Sequence, residues 1–198
     1  MPALKWASNQ LIICGLLLGL SCQQENRQTD LVYFDVNGFI EQQIATLKDL
    51  PCDLEKNLSM DDRGEIMNSE SSKDSAFWAH EFIVFRDHDI NKPVLRDAYT
   101  TSKGTDEAGN RFDQYQLRDP KQLGVRSMKV YYDSEGKITS WESDYREENV
   151  LYSSKRLVRM DLEKSGNGYL LNSYSVAGYH KLVFKDTVHY QVMAKLHY

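Results

Sequence analysis

Hydrophobic and polar positions alternate with three different rhythms along this chain. Residues 11–20 are apolar or small without interruption. Between residues 35 and 50, Val36, Ile40, Ile44 and Leu47 recur at spacings of four, four and three, which makes one apolar stripe on a helix. Asp35 is placed to cap that helix and Pro51 to stop it. Gly38 in the first turn weakens it by about 1 kcal/mol relative to Ala. Residues 53–68 shift to period two, with Leu54, Leu58 and Met60 at even positions. The turn Asp61-Asp62-Arg63-Gly64 then predicts a hairpin whose return strand carries Ile66 and Met67.

A polar stretch, 69–74, opens the next element. Ser71 and Asp74 stand at capping-box spacing, although Asp replaces the preferred Glu or Gln. Residues 77–85 are the most apolar stretch after the first. Trp78, Phe82 and Phe85 have helical spacing, and we read a helix buried under a sheet. The aromatic and β-branched content also suits a strand. Asn91-Lys92-Pro93 ends it.

From Pro93 the rhythm is two, and it stays two. Strands are expected over 94–101, 111–117, 125–132, 137–146, 150–162, 169–176, 179–185 and 188–196. A loop at 104–110 and short turns at 119–124, 133–136, 147–149, 165–168, 177–178 and 186–187 join them. Val188, Tyr190, Val192, Ala194 and Leu196 alternate with polar residues, as a sheet covered on one face requires. The fold class is therefore α+β. A curved antiparallel meander of about eight strands carries two N-terminal helices and a small hairpin packed on it. Sheets of that size often close into a cup or half-barrel.

Charge and cysteines narrow the setting. The formal charge is −5, and losing Lys5, the one charged side chain before Cys22, takes it to −6. A mildly acidic chain has no electrostatic drive toward nucleic acid or anionic lipid, so no nucleic-acid partner is expected. Three cysteines are present, Cys14, Cys22 and Cys52. Lys5, the apolar run 11–20 and the small Ser21 have the layout of an export signal. The run is too short for a spanning helix, which needs about 20 apolar residues.

Leu18-Gly19-Leu20-Ser21-Cys22 resembles the lipobox of bacterial lipoproteins. Ser21 supplies the small residue before the cysteine, and Leu18 stands one place ahead of the family's usual Leu. The resemblance implies a signal peptide over 1–21, lipid attachment at Cys22 and a polar tether over 22–30. A single domain over 31–198 would follow. Ordinary signal cleavage with an unmodified Cys22 is the alternative. Gln23 is not the Asp that commonly retains such proteins in the inner membrane, so the resemblance implies anchoring to the outer membrane of a Gram-negative cell. Several acyl chains make such anchoring stable where one would not. Fully extended, residues 23–30 reach roughly 26 to 29 Å. With Cys14 removed and Cys22 acylated, Cys52 has no disulfide partner in the mature chain, and we expect a small buried hydrophobe there.

Candidate chemistry is sparse. There is no G-x-S-x-G elbow, Walker loop or H-E-x-x-H. Gly166-Asn167-Gly168 lacks a third glycine and sits in a turn. Asp87-His88-Asp89-Ile90-Asn91 has the opening of a calcium loop, but Lys92 and Ala98 stand where Gly and Glu are needed. These residues are expected to end the helix instead. His180, His189 and His197 are expected as exposed strand residues, and Glu142 with Asp144 as a solvated acidic pair. No catalytic residue, metal ligand or cofactor is assigned.

The strand 150–162 is different. One of its faces reads Val150, Tyr152, Ser154, Arg156, Val158, Met160 and Leu162. If the strand is regular, Arg156 points inward and must be paired or line a wet cavity. Arg156 with Tyr152 is then a candidate ligand site for an anionic or amide group. The alternatives are a β-bulge that turns Arg156 outward, or a place at the sheet rim.

These features imply an outer-membrane lipoprotein with a non-catalytic binding or interaction domain in the cell envelope. Its partner would be an envelope protein or a small amphiphile. The second reading is a carrier or assembly factor, resembling lipoprotein carriers in architecture, with a lipid in a sheet-lined cavity. An enzyme of unknown type is third. A continuous apolar cavity over the sheet favours the carrier, a filled core favours the interaction module, and a polar cleft with strongly shifted carboxylates favours the enzyme.

Overall fold

Asp35 begins the first helix by accepting a 2.8 Å hydrogen bond from the Gly38 amide. A Cβ at position 38 would come within 2.2 Å of the Asp35 carboxylate, so the glycine makes room for the cap. The structure is a computed structural model that describes residues 31–198 except 62, 70–73, 120, 122–123 and 167. The expected signal peptide, Cys22, the tether and the Ser71 cap lie outside the described residues. Helix α1 runs Val36–Leu47 and buries Val36, Phe39, Ile40, Gln43, Ile44 and Leu47.

Strands β1, Asp53–Met60, and β2, Arg63–Ser69, form the expected hairpin. Its place differs from expectation. Along its length β1 also pairs with the last strand, from Leu54 opposite Leu196 to Met60 opposite Tyr190. The hairpin therefore extends the sheet instead of packing on it. The matching parity explains this: Leu54 and Leu58 continue the apolar rows of Leu196 and Val192 onto a new strand. Asp61 locks the join, its amide donating to the His189 carbonyl and its carboxylate accepting from the His189 amide.

The helical reading of 77–85 is correct in type, but the helix is broken. Helix α2 is Ser75–Glu81, capped by Asp74 through the Phe77 amide, and α3 is the short Ile83–Arg86. Phe82 departs from helical geometry between them, at φ −94° and ψ 7°. The break lets Trp78, Phe82 and Phe85 all be fully buried while Ile83 faces solvent. A 3₁₀ turn, Pro93–Leu95, replaces the start of the strand expected at 94. Proline sets its φ, and Leu95 donates back to the Lys92 carbonyl.

Seven strands follow: β3 Tyr99–Thr105, β4 Arg111–Leu117, β5 Gly124–Tyr132, β6 Ile138–Glu148, β7 Tyr152–Ser165, β8 Gly168–Leu182 and β9 Val188–His197. The order is β2-β1-β9-β8-β7-β6-β5-β4-β3 and every pairing is antiparallel. The expected strands 169–176 and 179–185 are one strand, β8, and the expected turn at 177–178 does not exist. Seven meander strands and the two hairpin strands make a sheet of nine among the described residues, where about eight were expected.

One face is covered by the helices. Phe85 meets Trp141 and Tyr174 edge-on with ring centres 6.0 and 5.7 Å apart, and Trp78 stacks on Phe82 at 5.4 Å. Glu81 ties α2 to two strands, accepting from Lys56 on β1 at 2.6 Å and from the Tyr174 hydroxyl on β8. Cys52 is half-buried and packs at the edge of the core, less enclosed than expected.

Candidate functional site

Across β6, β7, β8 and β9 one row of opposed residues reads Tyr145, Arg156, Gly178, Tyr190. It lies on the helix-covered face, just past the end of α3. Strand β7 is regular at this point, and its register shift falls later, between Asp161 and Leu162. Arg156 therefore points inward, as the regular-strand reading requires. Its charge is met by Asp87, which caps α3: Nη1 donates to Oδ2 at 2.8 Å. The guanidinium also lies 5.6 Å from the centre of the Tyr145 ring, within cation–π range.

Gly178 explains the rest of the row. A Cβ there would sit 2.0 Å from the Lys155 carbonyl oxygen and 2.8 Å from the Tyr190 hydroxyl. The bare glycine lets the Tyr190 side chain lie across β8 toward Arg156. Strand glycines often mark such close approaches rather than turns. Burial opposes the charge on Arg156, but the Asp87 carboxylate and the Tyr190 hydroxyl beside it hold its pKa above the usual value.

The next row carries Ser154 and His180, opposite each other on β7 and β8. Ser154 is buried. The His180 ring is stacked between two tyrosines, with centres 5.0 Å from Tyr190 and 5.9 Å from Tyr152. The Tyr152 hydroxyl and His180 Nδ1 are 2.8 Å apart. The two candidate residues, Arg156 and Tyr152, thus belong to one aromatic shelf, linked through His180 and Tyr190. His180 is half-buried rather than an exposed strand histidine.

His88 entered the sequence reading as part of the Asp87–Asn91 stretch expected to end the helix. It is fully buried behind Arg156, with Nδ1 2.9 Å from Ser143 Oγ. Ser143 gives its own proton to the Ser127 carbonyl at 3.1 Å. The imidazole must then donate from Nδ1, which leaves Nε2 as an acceptor, and that atom is buried without a hydrogen-bond partner. Burial, then the charges of Arg156 and Lys92, push its pKa down to about 3. His88 is a neutral core histidine at ordinary pH. The Ser143–His88 contact is not arranged for nucleophilic attack, because both residues are buried and the serine proton faces the wrong acceptor.

The remaining candidates resolve into structure. Asp89 accepts from Asn37 and from the Asn91 amide. Asn91 in turn receives the Val32 and Tyr33 amides at 3.1 and 2.9 Å. The 87–91 segment is thus a clasp that closes the chain start onto the helix end. Among the described residues, no three His, Cys, Asp or Glu side chains converge as metal ligands. On the uncovered face Glu142 belongs to an ion network, accepting from Arg159 at 2.7 Å and from the Tyr131 hydroxyl at 3.0 Å. Beside it lies an open groove of about 460 Å³ floored by Ser127, Ser175 and Ala177. A second open cleft of about 570 Å³ runs along Lys103, Arg111 and Phe112. Neither includes Arg156 or Tyr152. Among the described residues no helix is long and apolar enough to cross a membrane.

No protein-family model, curated protein or solved structure matches this chain.

Proposed function

We propose that the chain is an exported lipoprotein, anchored to the outer membrane through Cys22, whose domain acts by surface binding in the cell envelope. What carries this choice over a carrier is the filled space between helices and sheet. Phe82 and Phe85, with Trp78 stacked on Phe82, meet Trp141 and Tyr174 from the sheet, where a carrier would need a continuous apolar cavity. The aromatic shelf is the surface with the composition of a binding hot spot: Tyr145, Tyr152, Tyr190 and Arg156 are the residue types that dominate such sites. A partner would offer an acidic or amide group to Arg156 in exchange for Asp87, whose side chain is 59% exposed. An envelope protein fits this chemistry better than a buried lipid.

Organic extraction of the purified full chain, followed by mass spectrometry, tests the choice. Surface binding leaves no stoichiometric lipid in the extract, because acyl chains on Cys22 are covalent and stay with the protein. A stoichiometric amphiphile in the extract would establish the carrier instead.

A further inference from the structure

Two hairpin tips stand side by side at one end of the sheet, joined by a 3.1 Å hydrogen bond from the Val183 amide to the Leu151 carbonyl. They carry apolar side chains into solvent. Phe184 is 93% exposed and Val150 89%, with Leu151, Val183 and Leu182 also exposed. Single exposed apolar residues are ordinary, but a contiguous group of five on adjoining tips marks a contact surface. These side chains stand on turn and strand-end backbone, with Phe184 and Val150 almost wholly in solvent, so they suit insertion into a soft phase better than a shape-matched pocket.

Their flanks have the polarity of a bilayer interface. Lys181 and Lys185 bracket Leu182-Val183-Phe184 and are both exposed. Long lysine stems can lie along apolar surface while the ammonium reaches phosphate. Directly behind the tips the half-buried Tyr152, His180 and Tyr190 of the shelf end the apolar surface. Asp186 shares the second tip with Lys185, and Glu147 and Glu148 lie two or three positions before Val150. They offset the lysines, so apolar insertion rather than attraction to anionic lipid must drive the contact.

The start of the domain lies at the same end of the strands. The Tyr33 hydroxyl donates to the Arg96 carbonyl at 2.6 Å, and its ring packs on Tyr99, the first residue of β3. Followed across the antiparallel register, the first residues of β3, β5, β7 and β9 share one end of the sheet, and both tips belong to that end. On the anchored reading, residues 23–30, which span at most roughly 26 to 29 Å, would keep that end within reach of the lipid surface.

We infer that the tips Val150-Leu151 and Leu182-Val183-Phe184 insert into the phospholipid surface and orient the domain on the membrane. This rests on the anchored reading for its high local lipid concentration, which lets a weak second contact form. Phe184→Trp supplies the probe in the full lipidated chain. Trp78 and Trp141 are fully buried and Trp6 precedes Cys22, so the new indole is the solvent-facing one.

The chain is placed in vesicles of phosphatidylethanolamine and phosphatidylglycerol with brominated acyl chains. The inference requires blue-shifted emission that brominated lipid quenches. Adding Val150→Asp and Leu151→Asp, both in an exposed turn, abolishes quenching while the protein still floats with the vesicles. An unquenched indole on a floating protein overturns the inference, as does quenching that survives the two aspartates. Failure of the anchor reads out separately, as a native chain that does not float. In the Cys22→Ala chain, Phe184→Asp then lowers vesicle partitioning by about tenfold, the loss expected for one withdrawn Phe side chain. An unchanged partition coefficient overturns the inference in that case.

Discussion

At the residue scale, His88 is where pH acts on this fold. Its imidazole is buried and neutral, with a pKa of about 3 in place of 6.5. Above pH 6.5 neither the folded nor the unfolded state binds this proton, and the stability is fully present. As pH falls below 6.5 the unfolded chain takes the proton and the folded chain refuses it. Stability is then lost by about 1.4 kcal/mol per pH unit toward pH 3. Urea unfolding between pH 7 and pH 4.5 should show this slope. His88→Gln should be less stable at pH 7 and should lack that part of the slope, whereas equal slopes in both proteins would refute the assignment. Little of this was legible beforehand. His88 sits between two aspartates in a polar pentapeptide, and only the docking of the helix end onto β6 buries it. For Arg156 strand parity offered an inward direction beside a bulge or a rim placement, and only the observed register decides between them. Its partner Asp87 was not legible, because it is 69 positions away.

At the element scale, helix α2 depends on one carboxylate. Glu81 is nearly buried, 12% exposed, and receives both Lys56 and the Tyr174 hydroxyl. The Tyr174 pKa is driven far up, by burial first and then by Glu81, so the phenol remains the donor. Glu81→Ala would leave Lys56 and Tyr174 enclosed without an acceptor and should cost about 3 kcal/mol in chemical denaturation. Combined with Tyr174→Phe the losses should be clearly less than additive. A change within about 0.5 kcal/mol would mean that aromatic packing alone holds the helix.

The elements themselves were largely readable. Asp35 and the apolar spacings place both helical regions, and the turn residues place most hairpins, but Asp74, read as the partner of a Ser71 cap, is itself the N-cap of α2. Two errors share one cause. Gly178 read as a turn because glycine usually breaks strands, and the 53–68 hairpin read as a separate unit because its pairing with β9 spans most of the chain. Both depend on long-range register, which local pattern does not carry.

At the scale of the whole molecule, the sheet and helices share one aromatic core, and the chemistry lies at one end. There the paired Arg156, the stacked His180 and the apolar tips lie within neighbouring strands. The α+β class was legible from the change of rhythm at Pro93. The gathering of Arg156, Tyr152, His180 and Tyr190 into one shelf was not, because it needs β8 to run unbroken past Gly178. The surface end, the tether length and the short apolar run 11–20 all bear on one claim, that this domain works while held to a membrane by Cys22. Metabolic labelling of the full chain with an alkynyl palmitate analogue in a Gram-negative host tests it most directly. The account requires label on the native protein and none on Cys22→Ala. An unlabelled native chain, or label that survives Cys22→Ala, would contradict it.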